Sequence, residues 1–207
     1  GFEDNTMFSH WSNWARGIAI TMAECPSLCS FLYRECQCLI QMANFLGLVE
    51  PMLALQTHLG KLKAAVEASW DDITAIYRYW DRDSHFSNTW ETLGERYGVG
   101  EITVRRGFEH PTRMLVRVHT LAEPSRQILV FIHGTSTSGQ HLIEKIPYER
   151  LRWYLNLGSA TSERVYTTIE HVEIQGADKE DRFILQTVGY DCPDHTALLA
   201  LWAGIPD

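Results

Sequence analysis

The spacing of apolar residues changes midway along this chain. In the first half it follows the period of about 3.6 expected of helices, and after Gly100 it follows the period of 2 expected of strands. Trp11, Trp14, Ile18 and Met22 predict a helix over residues 11–23. Pro26 and Ser27 are a start signal for a second helix over 27–46, closed by Gly47. Pro51 opens a third, running to Ser69 with Leu55, Leu59, Leu62 and Val66 on one face. Ser69-Trp-Asp-Asp72 reads as a capping box that starts a short helix to Trp80. Residues 87–97 read as a last helical piece, ended by Gly98.

Beyond Gly100, residues 102–106 alternate. Residues 113–119 alternate more cleanly, with Met114, Val116 and Val118 on one face and Arg113, Leu115, Arg117 and His119 on the other. Residues 128–132 are continuously apolar, as in a central strand. The links between these strands are short and carry Pro111 and Pro124, which favours an antiparallel meander. A helical region over 138–157, broken near Pro147, is expected next. Strands over 164–174 and 182–190 follow, then a terminal helix over 194–202 with Asp194 as N-cap. The expected class is α+β: a helical region, 1–98, packed on a mostly antiparallel sheet from 99–207 with one or two further helices, as one cooperative unit.

Composition narrows the picture. With 45% hydrophobic and 21% charged residues among 207, the chain can bury an ordinary core. A formal net charge of −8 argues against general nucleic-acid or anionic-membrane binding, both of which need a basic surface. The most apolar stretch, 39–55, is interrupted by Gln41, Asn44, Glu50 and Pro51, so no transmembrane helix is expected. The start shows no signal-peptide pattern. Four of the five cysteines (Cys25, Cys29, Cys36 and Cys38) crowd one predicted helix, where they suit no disulfide framework. Reduced thiols and an intracellular, cytoplasmic setting are the expectation.

Candidate chemistry centres on Gln127–His141, QILVFIHGTSTSGQH. It reads as a buried strand ending in His133, a small polar loop, and a helix start, a setting in which many folds place chemistry. Gly134, Thr135, Ser136, Ser138 and Gly139 are the candidate ligand-binding residues, through backbone N–H groups at the helix start. His133-Gly134-Thr135 resembles the His-Gly oxyanion turn of α/β-hydrolases. The resemblance covers about ten residues, and no G-x-S-x-G elbow accompanies it. Cys192, at a predicted helix start beside His195, joins His133 and His141 as a candidate catalytic residue.

Other clusters have plainer readings. Cys25, Cys29 and Cys36 share a helix face but lack a paired zinc knuckle, so core packing is favoured and neither metal nor cofactor is expected. Asp71, Asp72, Asp81 and Asp83 lie near Arg78 and Arg82 as a self-paired surface. Arg105, Arg106, Arg113 and Arg117 fall on two neighbouring strands, able to meet over an anionic ligand. Five of the seven tryptophans (Trp11, Trp14, Trp70, Trp80 and Trp90) lie in the helical region, and Ile76-Tyr-Arg-Tyr-Trp80 puts apolar residues on every side of a helix. Such a surplus suits a partner surface. The expected function is a protein-protein interaction or assembly module without its own catalysis, binding a protein partner or forming a homo-oligomer. The alternative is a small enzyme or ligand-binding protein with a pocket beside the His133–Gly139 loop.

Overall fold

The computed structural model describes Phe8, residues 15–194 and residues 198–205. The fold is α+β, with two long helices early in the chain and antiparallel sheets after them. The chain divides into two compact units, Glu24–Trp80 with Asp191–Asp207 and Gly1–Ala23 with Asp81–Tyr190.

The first unit is helical. Helices α1 (Pro26–Leu46) and α2 (Val49–Ala68) form an αα-hairpin. Gly47 ends α1 in the left-handed region at φ 68°. Its N–H and that of Leu48 donate to the carbonyls of Asn44 and Ala43, closing the helix as a Schellman motif. Along α2 the predicted face is seen: Val66 is buried, and Leu59 and Leu62 pack beside it. Helix α3 (Leu198–Ala203) adds Ala200 and Ala203 to the core formed by Tyr33, Val66 and Tyr77. The expected role of Asp194 as N-cap of the terminal helix falls on residues 195–197, which lie outside the described residues. The Asp194 carboxylate accepts hydrogen bonds from the Ser27 N–H (2.8 Å) and hydroxyl (2.5 Å), so it caps the first turn of α1 from a distant part of the chain.

The second unit is a β-sandwich. Its strands in chain order are β1 (Thr92–Tyr97), β2 (Gly100–Thr112), β3 (Met114–His119), β4 (Leu129–Thr135), β5 (His141–Pro147), β6 (Arg152–Tyr154), β7 (Leu157–Thr161), β8 (Tyr166–Gln175) and β9 (Arg182–Thr187). One sheet has the order β6-β7-β3-β9-β1 and the other β2-β8-β4-β5, with every pairing antiparallel. Met114, Val116, Val118, Phe183 and Leu185 from the first sheet meet Val130, Ile132, Ile146, Ile169 and Val172 from the second in one core. The opposite face of β3 is buried as well. Residues 15–19 cross it: Gly17 lies against Leu115, and the Ala15 carbonyl accepts a hydrogen bond from Arg117.

Several sequence expectations are corrected here. Of the first predicted helix, residues 11–14 lie outside the described residues; residues 15–19 are irregular, with Gly17 at φ 80°, and Ile20–Met22 make one 3-10 turn. Ser69 ends α2 rather than starting a helix: its hydroxyl donates to the Val66 carbonyl, and Trp70–Asp71 pairs with Ile76–Tyr77 as a short hairpin. Tyr77 and Tyr79 are accordingly buried rather than splayed around a helix. β1 replaces the helix expected up to residue 97, because the Leu93 side chain packs into the sandwich core. No helix occupies 138–157; β5, β6 and a 3-10 turn at Tyr148–Arg150 do. The meander is also corrected, since non-consecutive strands neighbour one another in both sheets.

The arginine cluster does not form either. β2 and β3 belong to different sheets. Arg113 is fully buried, its Nε 2.5 Å from Asp81 Oδ2, and it donates to the carbonyls of Ser162 (3.3 Å) and Glu163 (2.5 Å) and to Asp83. Burial opposes its charge, but Asp81 and Asp83 more than offset this and raise its pKa. Truncating one partner strands the other without compensation. Arg113→Ala is expected to cost about 3–5 kcal/mol, measured by urea unfolding at neutral pH. Arg113→Lys should recover little of this, because one ammonium cannot reproduce the forked set of contacts.

Candidate functional site

The face of the second sheet that points away from the core carries the sequence candidates. His133 on β4 lies directly opposite His171 on β8. Their rings stack with centroids 4.2 Å apart and planes 15° from parallel. His141, at the start of β5, sits with its ring centroid 6.1 Å from that of His133. Glu173 approaches His133 Nε2 at 3.9 Å, and Glu170 approaches His141 Nε2 at 3.7 Å.

A bulge in β8 assembles this group. Ile169 pairs with Gly134 and His171 with His133, so Glu170 is an extra residue with no partner of its own. The insertion lets Ile169, Val172 and Ile174 all face the core, while His171 and Glu173 emerge on the outer face. Simple alternation through 164–174 puts Ile169 and His171 on the same side. His171 and Glu170 were therefore missed from sequence, and no local signal marks the bulge.

The remaining candidates have structural roles. Gly134 is needed for close approach, because a Cβ there would lie 2.2 Å from the Thr168 carbonyl oxygen and 2.9 Å from the Tyr166 ring. The loop is a hairpin turn and not a helix start. The Ser136 N–H donates to the Gln140 carbonyl, the Gly139 N–H donates to the Ser136 carbonyl, and Gly139 has φ 77°. Two amides that an anion would require are thereby used internally. The Ser136 and Ser138 hydroxyls bond each other at 2.8 Å, and the Thr135 hydroxyl accepts from Thr168 at 2.8 Å.

Cys192 is buried in the helical unit, whereas His133 and His141 belong to the sandwich. His195 lies outside the described residues. Cys25 and Cys36 are buried, Cys29 is partly buried and Cys38 is exposed, all as free thiols. Burial pushes the Cys25 and Cys29 thiols up to about 11, which keeps them protonated at neutral pH. Among the described residues no group of three or more His, Cys, Asp and Glu side chains is placed to hold a metal ion.

Burial lowers the His133 pKa, helped by His171 and His141 and opposed by Glu173 and Glu170. His133 is thus a neutral imidazole at pH 7, and its buried Nε2 has no hydrogen-bond partner among the described residues. No protein-family model matches the chain, and a search of curated proteins finds no match.

The pH dependence follows from linkage. Unfolded, His133 takes up its proton around the ordinary value of 6.5; folded, it does so only at lower pH. Its contribution to stability is present above pH 6.5 and is lost as pH falls below that value. Thermal melts between about pH 8 and about pH 5 should show a falling Tm on the acid side. His133→Asn should flatten that limb while leaving the alkaline plateau nearly level.

Proposed function

We propose that this chain is an interaction or assembly module without catalysis of its own, which binds a protein through the tip of its αα-hairpin. One observation carries the reading. Phe45 is 90% exposed, Leu46 and Val49 are each 63% exposed, and Met42, Leu48 and Leu53 are largely exposed beside them. Between Cys36 and Thr57 the sequence holds a single charged residue, Glu50. A continuous uncharged apolar surface on a protein is costly in water and marks a docking site. Ridges along two adjacent helices also suit a helical partner or a second hairpin.

No described helix is long and apolar enough to cross a membrane. The alternative, histidine or thiol chemistry beside the His133–Gly139 loop, has less support. A nucleophile must lie within hydrogen-bond reach of its base, and the groups set around His133 are His171, His141, Glu170 and Glu173. The reading also places the protein inside the cell, in the cytoplasm, where crowded free thiols persist in reduced form.

Light scattering on the purified chain tests it. The wild type should run above its monomer mass or bind a partner as a stoichiometric complex. The double variant Phe45→Ser/Leu46→Ser should be monomeric, bind at least ten-fold more weakly, and keep its Tm, because both side chains are already in water. A wild-type monomer with no partner, or a double variant that associates unchanged, rejects the proposal.

A further inference from the structure

We infer that the β-sandwich carries a pocket for a single sugar ring, the ligand being a monosaccharide or the terminal residue of a glycan. The inference is independent of the hairpin and of the histidine face.

A strand irregularity builds the pocket. On β8, Thr168 pairs with Gly107 and Tyr166 with Thr112, so β2 spends five steps where β8 spends two. Phe108–Pro111 therefore leave the ladder and form a wall. The facing wall is the segment 86–91, pinned at several points. Asn88 Nδ2 donates to the Pro111 carbonyl at 3.1 Å, and its own carbonyl accepts from the Tyr190 N–H at 2.8 Å. The Thr187 hydroxyl donates to the Thr89 carbonyl and accepts from the Glu91 N–H, both at 2.8 Å. Between the walls lies a cavity of about 290 Å³. This is near the lower limit of about 300 Å³ for small-molecule sites, the range of one six-membered ring. Gly107 lines the cavity, and a Cβ there would meet only Thr168 Cγ2 at 3.9 Å, so packing does not demand a glycine.

The lining selects the ligand. Phe86, Phe108 and His110 supply aromatic surface, with Phe86 and His110 stacked at 3.6 Å. Aromatic faces are electron-rich and attract the C–H face of a pyranose. Glu91 and Arg106 form an ion pair at the polar edge, Arg106 Nη2 donating to Glu91 Oε2 at 3.2 Å, and Arg106 also lies over Phe108 at 5.8 Å. The pair offers a carboxylate acceptor beside guanidinium donors, which together match two adjacent hydroxyls. Because the two charges neutralise each other, an ionic ligand has to break the pair, whereas a neutral polyol leaves it intact. The two side chains remain 37% and 50% exposed, within reach of a ligand.

Calorimetric titration of the full chain with glucose, galactose, mannose and N-acetylglucosamine, each separately, tests the assignment. At least one should bind saturably with 1:1 stoichiometry. Arg106→Ala and Phe108→Ala should each weaken that sugar ten-fold or more. Gly107→Val, which adds bulk to the pocket lining, should abolish binding, and Gly107→Ser serves in its place if the valine variant fails to fold. Excess inorganic phosphate should not compete. The assignment is overturned if none of the four sugars saturates, if Arg106→Ala and Gly107→Ser bind as tightly as the wild type, or if phosphate displaces the sugar.

Discussion

The buried pairing of Arg113 with Asp81 is the constraint that the sandwich is organised around. An arginine at zero exposure is tolerated only when its charge and its N–H groups are matched. Asp81 does more than neutralise it. Its other oxygen accepts the backbone N–H groups of Asp83 (2.8 Å) and Ser84 (3.0 Å), which turns the chain where it enters the sandwich. Arg113 then reaches the carbonyls of Ser162 and Glu163, just after β7. Three stretches far apart in sequence are thus held on one guanidinium. Arg117, on the same face of β3, is buried under residues 15–19 and donates to the Ala15 carbonyl. The face of β3 that carries Arg113, Leu115 and Arg117 is thus a second, partly polar interior.

Departures from regular pairing decide what the outside of the sandwich can do. The extra residue at Glu170 resets the phase of β8 and puts His171 beside His133. The longer excursion at Phe108–Pro111 frees a wall for the pocket. Both are single-strand insertions opposite regular neighbours, so the core side keeps its Ile and Val ladder while the outer side gains new groupings. The helical unit works differently. Its hairpin has few charges on either side near the tip, and the apolar residues left over after packing Tyr33, Val66 and Tyr77 stay exposed.

Local signals read well where the chemistry is local. Pro26 at the first turn and Gly47 just past the last bracket α1 within a residue, since a missing N–H and a left-handed backbone are properties of those residues alone. The period of 2 in residues 113–119 placed Met114, Val116 and Val118 in the core correctly. Signals with two meanings misled. Ser69 has the sequence of an N-cap, yet its hydroxyl serves the end of the preceding helix. The glycine after His133 resembles an oxyanion turn, and Thr168 of a neighbouring strand independently leaves no room for a Cβ there. Of the candidate site, His133 and His141 were legible as histidines flanking a loop. Their companions were not, because His171 and Glu170 arrive from a strand about thirty residues further on, through a bulge with no sequence mark.

The sequence by itself determined the class, the two long helices, the strands β3, β4, β8 and β9 that carry much of the core, and the apolar, nearly uncharged character of the hairpin. Those follow from periodicity, caps and composition, which act over a few residues. Only the tertiary structure decided that β2 and β3 part into different sheets, that Asp194 caps α1, that Arg113 is interior, and which side chains share a face with His133. Each of these depends on which distant strand or segment fills a given place. That choice is made by the collective burial of the core and by satisfying every charge taken out of water, and neither quantity is a property of any short stretch of chain.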